Sequence, residues 1–321
     1  MIRQIAIWAA LSGAAFFMTP ARADAPSLRF PLDCDLGEDC FIQQYMDRDP
    51  GPGARDHACG PLSYDGHTGT DIRVMDLSDL ARDIPVLAAA PGIVIGLRNS
   101  TADDGRDGMV AGQECGNGVL LDHGQGWQTQ YCHMRRGSVS VTEGQRVAEG
   151  APLGLMGYSG NTEFPHLHIS VRRDGEHVDP FSIDGSCGAA GESLWQAPLP
   201  YQPGGFLTAG FATDIPAFDS IRAGTAGLDR IAPDAPALVI WAYLFGARAG
   251  DELRLLIRLP DGDTLHDVTV PLERTQAQLF RATGLRARGD AWTEGGYSGE
   301  VRLIRDGTEI DRITAETRIA R

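Results

Sequence analysis

Short runs of alternating apolar and polar residues, separated by turns, dominate the chain between residues 67 and 182. The runs at 119–122 and 127–133 flank the sequence H-G-Q-G, a pattern typical of a β-hairpin. Two further apolar runs, at 85–90 and 92–97, are separated by a Pro-Gly turn. The pattern predicts a domain of short antiparallel strands, with one helical turn at 77–82 and a surface loop at 99–114.

A second set of strand patterns fills residues 205–321. Leu253, Leu255 and Ile257 alternate with other residues, and 239–245 is a continuous apolar run. Asp-Gly pairs between such runs are turn signals. Several short strands with such turns predict a β-sandwich-like domain, so the chain is predicted to be all-β.

The start of the chain has the pattern of a secretory signal peptide. Arg3 precedes a short apolar run, and an Ala-Arg-Ala site ends at Ala23. We also consider a short helix at 40–46. The predicted organisation is a signal peptide at 1–23, an irregular cysteine-containing segment at 24–55, a first β-domain at 56–182, a linker at 183–204 and a sandwich-like domain at 205–321.

The predicted export affects how the six cysteines are expected to pair, because all of them follow the signal peptide. An even number of cysteines in an exported chain predicts disulfides. Folding the predicted hairpin brings Cys132 near the residues just after Cys115, so we predict a bond between these two. The alternatives are that each cysteine is simply buried, or that cysteines bind zinc, for which C-x-x-C spacing is lacking.

Charge and composition exclude several classes of function. The net charge of −15 argues against a nucleic-acid partner, which needs a basic face. All basic side chains are arginine, and the missing lysine excludes a biotinyl carrier domain with similar strand spacing. No segment after the signal peptide has the length and apolarity of a membrane span, so we expect none in the mature protein.

Two short motifs carry candidate metal ligands: H-T-G-T-D from His67 to Asp71, and P-H-L-H with His166 and His168. His67, Asp71 and one histidine of the pair form a set that suits zinc and leaves a coordination position open. On a strand, the two histidines of P-H-L-H point to the same face. The H-E-x-x-H motif is absent, so histidines, including His133, are the candidate acid/base groups.

These motifs, together with G-N-G-V-L-L-D-H-G-Q-G-W-Q-T-Q-Y-C-H, resemble the lysostaphin/LytM-type zinc metalloendopeptidases over about residues 56–182. The resemblance implies a LytM-type antiparallel β fold with a groove, Zn²⁺ as cofactor, and hydrolysis of peptide bonds in peptidoglycan stem or cross-link peptides. By position, it implies that the zinc ligands are His67, Asp71 and His168, and that the catalytic histidines are His133 and His166.

The chain departs from that family pattern in two places. Cys132 stands before His133, where many relatives have a small residue, and this fits an additional disulfide. Ile169 and Ser170 follow His168, where the family often has an aromatic and an acidic residue, and this bears on substrate specificity. The sandwich-like domain lies outside the resemblance.

The sequence therefore predicts a periplasmic or secreted zinc metalloendopeptidase with peptidoglycan peptides as substrate. The alternative is a non-catalytic or latent cell-wall regulator or binding protein on the same fold, with residues 24–66 covering the groove. A peptidase acting on other proteins would share the chemistry. We expect the C-terminal domain to position the enzyme or to bind a protein partner. The division of base and oxyanion roles between His133 and His166 stays open.

Overall fold

The computed structural model describes residues 25–183, 187–188, 191–289 and 291–321, so the predicted signal peptide lies outside the described residues. The described chain consists mainly of β-strands, which form a large sheet, a two-stranded sheet and a C-terminal pair of sheets. This confirms the all-β fold class. In these ranges, no helix has the length and apolarity needed to cross a membrane.

The first unit is built on an eight-stranded sheet with the order β1-β2-β9-β6-β5-β4-β7, in which β10 pairs with the end of β9. Neighbouring strands are antiparallel, and β3 and β8 form the separate two-stranded sheet. The strands are β1 (Phe41–Gln44), β2 (Thr70–Arg73), β3 (Pro85–Leu87), β4 (Gly92–Arg98), β5 (Asn117–Gly124), β6 (Trp127–Met134), β7 (Arg146–Val147), β8 (Pro152–Leu155), β9 (His166–Arg173) and β10 (Glu176–Val178), with 3₁₀ helices at Leu77–Arg82 and Gly105–Gly108.

The large sheet has one core face and one groove face. Ile72, Tyr131 and Leu167, on neighbouring strands, are fully buried on the core face. Residues at the intervening positions of the same strands point to the other face, because side chains alternate along a strand. That face carries the polar residues of β2, β6 and β9, and we call it the groove face.

The N-terminal segment contributes a strand, and the helix considered at 40–46 is wrong. Phe41–Gln44 pairs with the edge of β2, and all four of its residues are buried. Tertiary burial on both faces of this strand outweighs any local helical tendency. Before it, Leu28 and Leu32 pack into the core, and Leu32 forms a bridge with Val86 of β3. The described part of this segment therefore packs against the core.

The C-terminal unit is a sandwich of two sheets, which confirms the sandwich-like prediction. One sheet has the order β11-β13-β16 and the other β12-β18-β17-β14-β15; their inward side chains share one core. All pairs are antiparallel except β12 with β18. The elements are β11 (Gly205–Ala212), α1 (Phe218–Arg222), β12 (Arg230–Ile231), β13 (Ala237–Ala247), β14 (Glu252–Arg258), β15 (Thr264–Pro271), β16 (Gln276–Arg286), β17 (Gly295–Arg305) and β18 (Thr308–Ile319).

The continuous apolar run in the sandwich has a structural reason. Strand β13 is buried on both faces, with Ile240 and Leu244 in the sandwich core. Its other face presents Tyr243 and Phe245, and Phe245 contacts Phe41 of β1 with ring centroids 5.8 Å apart. The sandwich is thus packed against the edge of the large sheet through an apolar interface.

Disulfide bonds join the described cysteines in pairs. Cys115 is bonded to Cys132, as predicted from the hairpin. Among the described residues, the other bonds are Cys34–Cys40 and Cys59–Cys187, and no described cysteine is free.

A β-bulge lies beside the Cys115–Cys132 bond. The register of β5 and β6 shifts by one residue between the pairs Asn117–Met134 and Val119–Tyr131, so two residues of β6 face one residue of β5. His133 has a φ of 63°, in the left-handed region. A bulge changes the direction of a side chain. Here it turns His133 to the groove face, although regular alternation from Tyr131 would direct this residue to the core face.

We expect Gly118→Ala to distort this bulge. A Cβ at Gly118 would lie 2.2 Å from the carbonyl oxygen of Tyr131. Overpacking of this kind costs about 1–3 kcal/mol of unfolding free energy, which urea titration measures. The control is Gly96→Ala on β4, where the nearest atom to an added Cβ is 3.9 Å away. Equal urea midpoints for the two variants would contradict the expected distortion.

Candidate functional site

The candidate site lies on the groove face where β2, β9 and β6 run side by side. Asp71 on β2 is directly opposite His168 on β9, and His168 is also directly opposite Cys132 on β6. His166, two residues before His168, shares its face. Strand register alone therefore brings the residues of H-T-G-T-D, P-H-L-H and Y-C-H together.

Three side chains of this site converge on one point. His67 Nε2 lies 3.2 Å from Asp71 Oδ1 and 3.2 Å from His168 Nδ1, and His168 Nδ1 lies 2.8 Å from Asp71 Oδ1. Ligand atoms about 2.0–2.2 Å from a tetrahedral zinc ion lie about 3.3–3.5 Å from one another. The three donor atoms are thus close to the spacing of a metal site, which a small expansion would complete.

The hydrogen bonds behind these ligands fix which ring nitrogens face the metal position. His67 Nδ1 donates to the carbonyl oxygen of Tyr45, 2.7 Å away, and this leaves Nε2 with a free lone pair. His168 Nε2 lies 2.9 Å from Ser170 Oγ, which can accept its proton when Nδ1 is a ligand. Metal-binding histidines are usually oriented by such a second partner. The donor set therefore fits a divalent metal.

Close packing explains the glycine of H-T-G-T-D. A Cβ at Gly69 would lie 2.6 Å from His168 Nε2 and 2.7 Å from the carbonyl oxygen of Ile169. The chain between His67 and Asp71 can approach β9 this closely only without a side chain at this position.

Two further histidines flank the three donors. Nδ1 of His133 donates to the carbonyl oxygen of Ser159 at 2.8 Å, and Nδ1 of His166 faces the carbonyl oxygen of Phe164 at 2.9 Å. Because a carbonyl oxygen only accepts, both rings carry their proton on Nδ1. Nε2 of His166 lies 3.4 Å from Asp71 Oδ1, and the ring centroids of His133 and His166 are 4.6 Å apart. In each ring, Nε2 is therefore the nitrogen that can exchange a proton in the groove.

Burial and mutual charge set the protonation of the site. Burial and the neighbouring His166 and His168 hold the pKa of His133 well below its ordinary value. Burial acts to raise the pKa of Asp71, yet the histidines around it hold that pKa well below its usual range. Burial also lowers the pKa of His168, against the pull of Asp71. Burial acts to lower the pKa of His67, yet Asp71 raises it above its ordinary value. Because metal ligands must be deprotonated, metal binding at this site competes with a proton on His67.

The site lies in a groove that crosses the sheet. On one side of the histidines, the groove is lined by Gln130, Ser170 and Arg172. On the other side is a cleft of about 520 Å³, whose lining includes Arg106 and residues of the sandwich strand β16. Such a groove can take an extended chain across the metal position.

Tyr64 lies beside the candidate metal ligand His67 at the groove wall. Its ring stacks on His67 with centroids 4.5 Å apart, and the side chain is 50% exposed. An exposed aromatic ring at this position is available to contact a substrate chain next to the metal.

The structure brings all five sequence-predicted site residues together. The sequence did not single out Tyr45, Tyr64 or Thr162, whose Oγ1 lies 3.0 Å from His166 Nδ1. Ser170 was noted only as a departure from the family pattern. Of these, Ser170 could have been found, because it is two residues beyond His168 on the same strand face. His123 makes its contacts elsewhere: its Nδ1 lies 2.8 Å from the carbonyl oxygen of Pro91, and its Nε2 lies 2.8 Å from Thr129 Oγ1.

Comparison with known proteins identifies the segment that carries this site. Residues 65–180 match the model of peptidase family M23. The chain is similar to the peptidoglycan DD-endopeptidase ShyA of Vibrio cholerae, with 29% identity over 113 residues, 35% of this chain and 22% of that protein. It is 32% identical over 117 residues to the DD-carboxypeptidase/endopeptidase Mpg of Neisseria meningitidis, covering 36% of this chain and 22% of that protein.

Among solved structures, the catalytic domain of the prophage-encoded M23 protein EnpA from Enterococcus faecalis aligns with a TM-score of 0.33 and 22% identity. The alignment covers 46% of this chain and 92% of that domain. The chain spans about a fifth of the length of ShyA and of Mpg. The sandwich lies outside the residues that match the family model.

We expect Ser170→Ala to weaken metal binding about tenfold, because it removes the acceptor that orients His168. Competition between the protein and a chromogenic chelator for Zn²⁺ measures the change. The control is Ser298→Ala, an exposed position on β17. Unchanged affinity in Ser170→Ala would mean that the serine does not orient the ligand.

Proposed function

We propose that this chain, whose residues 65–180 belong to peptidase family M23, is an exported zinc metalloendopeptidase that hydrolyses peptide bonds in peptidoglycan stem or cross-link peptides. The observation that carries the proposal is the convergence of His67 Nε2, Asp71 Oδ1 and His168 Nδ1 in a groove, beside two proton-carrying histidines. The similarity to the peptidoglycan DD-endopeptidase ShyA and the DD-carboxypeptidase/endopeptidase Mpg supports peptidoglycan as the substrate.

Zinc is the metal that this donor set favours. Two imidazole nitrogens and one carboxylate oxygen form the type of three-ligand set found in catalytic zinc sites, with a further position open. When bound, zinc supplies Lewis acidity, which polarises a carbonyl group and lowers the pKa of water. His67, Asp71 and His168 would hold it.

His133 and His166 supply the proton transfers. Each ring keeps its Nδ1 proton on a backbone carbonyl, so its Nε2 is the atom that takes or gives a proton in the groove. The low pKa of His133 keeps this ring neutral, as a proton acceptor must be before attack by water. Phe164, stacked on His166 with ring centroids 4.3 Å apart, excludes water from the back of that ring.

Rigid placement of these rings is part of the function. The bulge fixes His133, and the Cys115–Cys132 bond joins β6 to the segment just before β5. The backbone N–H of His133 also donates to the carbonyl oxygen of Cys115, 2.8 Å away. Disulfides are stable in the periplasm and outside the cell, and this agrees with the predicted signal peptide.

Digestion of purified peptidoglycan tests the function. Residues 24–321, loaded with zinc or treated with a chelator, are incubated with peptidoglycan, and the products are separated by mass. We expect new peptide ends only with zinc, and the masses identify the bond. If the protein binds zinc tightly and cleaves nothing, the proposal of an active hydrolase is wrong and the regulator on the same fold replaces it.

Variants separate the metal ligands from the proton carriers. We expect His166→Ala and His133→Asn to retain zinc and lose about 10²–10⁴-fold in cleavage rate, the usual share of general acid–base catalysis. Asparagine is chosen at position 133 because it tolerates a positive φ. His67→Ala should lose the metal itself. Zinc content and rate, measured on the same samples, give the result, and full activity in either proton-carrier variant would refute that residue's role.

A further inference from the structure

The sandwich forms one wall of the cleft beside the histidines. Gln276, Ala277 and Gln278, at the start of β16, line it together with Arg106 and Glu163 of the first unit. Gln43 and Gln44 of β1 also line this cleft. Arg222 of α1 also donates to the carbonyl oxygen of Glu163, 3.0 Å away, which ties the sandwich to the first unit. A substrate chain that leaves the metal position in this direction must contact the sandwich.

A buried cation lies behind this wall. Arg73 follows Asp71 by two residues on the same strand face and has no exposed surface. Its guanidinium donates to neutral acceptors, which include the carbonyl oxygens of Val74 and Met75 and the hydroxyl of Tyr243. Among the described residues, no carboxylate lies within 4.0 Å of it. An arginine stays charged in proteins, so this positive charge is only partly compensated.

Two glutamine amides connect this cation to the cleft. Gln43 Oε1 accepts from Arg73 Nη1 at 2.5 Å, and Gln278 Oε1 accepts from the Tyr243 hydroxyl, with Arg73 Nη1 3.5 Å away. With each oxygen turned towards Arg73, the NH₂ group of each amide is turned away from it. Gln43 Nε2 is buried and has no partner among the described residues. A buried donor without an acceptor is rare and calls for one.

We propose that the amides of Gln43 and Gln278, backed by Arg73, form a subsite that binds a carboxylate of the peptide substrate. This inference rests on the proposed peptidase function and specifies its substrate: a peptide with a free carboxylate on the sandwich side of the cleaved bond. A carboxylate accepts hydrogen bonds from both NH₂ groups and offsets the buried charge behind them. The C-terminal domain thereby becomes a specificity element of the groove.

Matched peptides test the subsite. The peptide that the protein cleaves from peptidoglycan is synthesised with its carboxylates free, and with each carboxylate in turn as the primary amide. We expect amidation of the carboxylate that binds the subsite to lower kcat/KM about tenfold, because it removes a charge-assisted hydrogen bond. The decrease should come from a higher KM. Gln278→Glu places a negative charge beside Arg73 and should abolish the difference between the two peptides.

The control is Gln125→Glu, which makes the same charge change in the exposed β5–β6 turn and should keep the difference. Gln278→Met, which removes the NH₂ donor without adding charge, should reduce the preference as well. A purely structural role of Gln278 would change both peptides equally and leave their ratio as in the unaltered protein.

Two outcomes overturn the subsite: equal kcat/KM for every amidated peptide, or a preference that survives in Gln278→Glu. If the protein does not cleave peptidoglycan, stem and cross-link peptides with free and with amidated carboxylates take the place of the cleaved peptide, and their affinities are measured directly by calorimetry. A carboxylate preference in binding without cleavage would sustain the subsite and reject the hydrolase function. Equal affinities would reject the subsite.

Discussion

The pairing of β9 with β2 on one side and β6 on the other is the constraint on which the site depends. This register sets Asp71 and His168 opposite each other and places His166 on the same face. A slip of one residue would turn both histidines of P-H-L-H into the core and bring Leu167 to the groove. The buried side chains of β9 oppose such a slip, so the packing that stabilises the sheet also specifies the donor atoms.

The same sheet requires an exception at one position. Strict alternation would direct His133 into the core beside Tyr131, and the bulge turns it to the groove instead. The extra residue is accommodated opposite Gly118 and beside a disulfide. This bulge serves His133, while Asp71 and His168 face each other in the regular register of β2 and β9. The sheet has further register shifts between β1 and β2 and between β4 and β5. Functional sites commonly hold such local departures from regular geometry.

Sequence reasoning reached the fold class, the sandwich and the convergence of the five site residues, because each depends on local periodicity or on a short motif. It did not reach Tyr45, whose carbonyl orients His67, because backbone acceptors leave no signature in side-chain identity. It also missed the contribution of β16 to the cleft. Gln276 and Gln278 are more than a hundred residues from P-H-L-H, and only the docking of β13 against β1 brings them near. The strand at 41–44 was missed because its burial comes from two separate units.

The bond between Cys59 and Cys187 has a consequence for the order in which the molecule is completed. The two cysteines are 128 residues apart, whereas the partners of the other bonds are 6 and 17 residues apart. As the chain is synthesised from its N-terminus, the two short loops can close early, but Cys59 has no partner until residue 187 is present. The loop that this last bond closes contains all five residues of the candidate site. The long-range bond is thus the last of the three that can form, and it encloses the site as a whole.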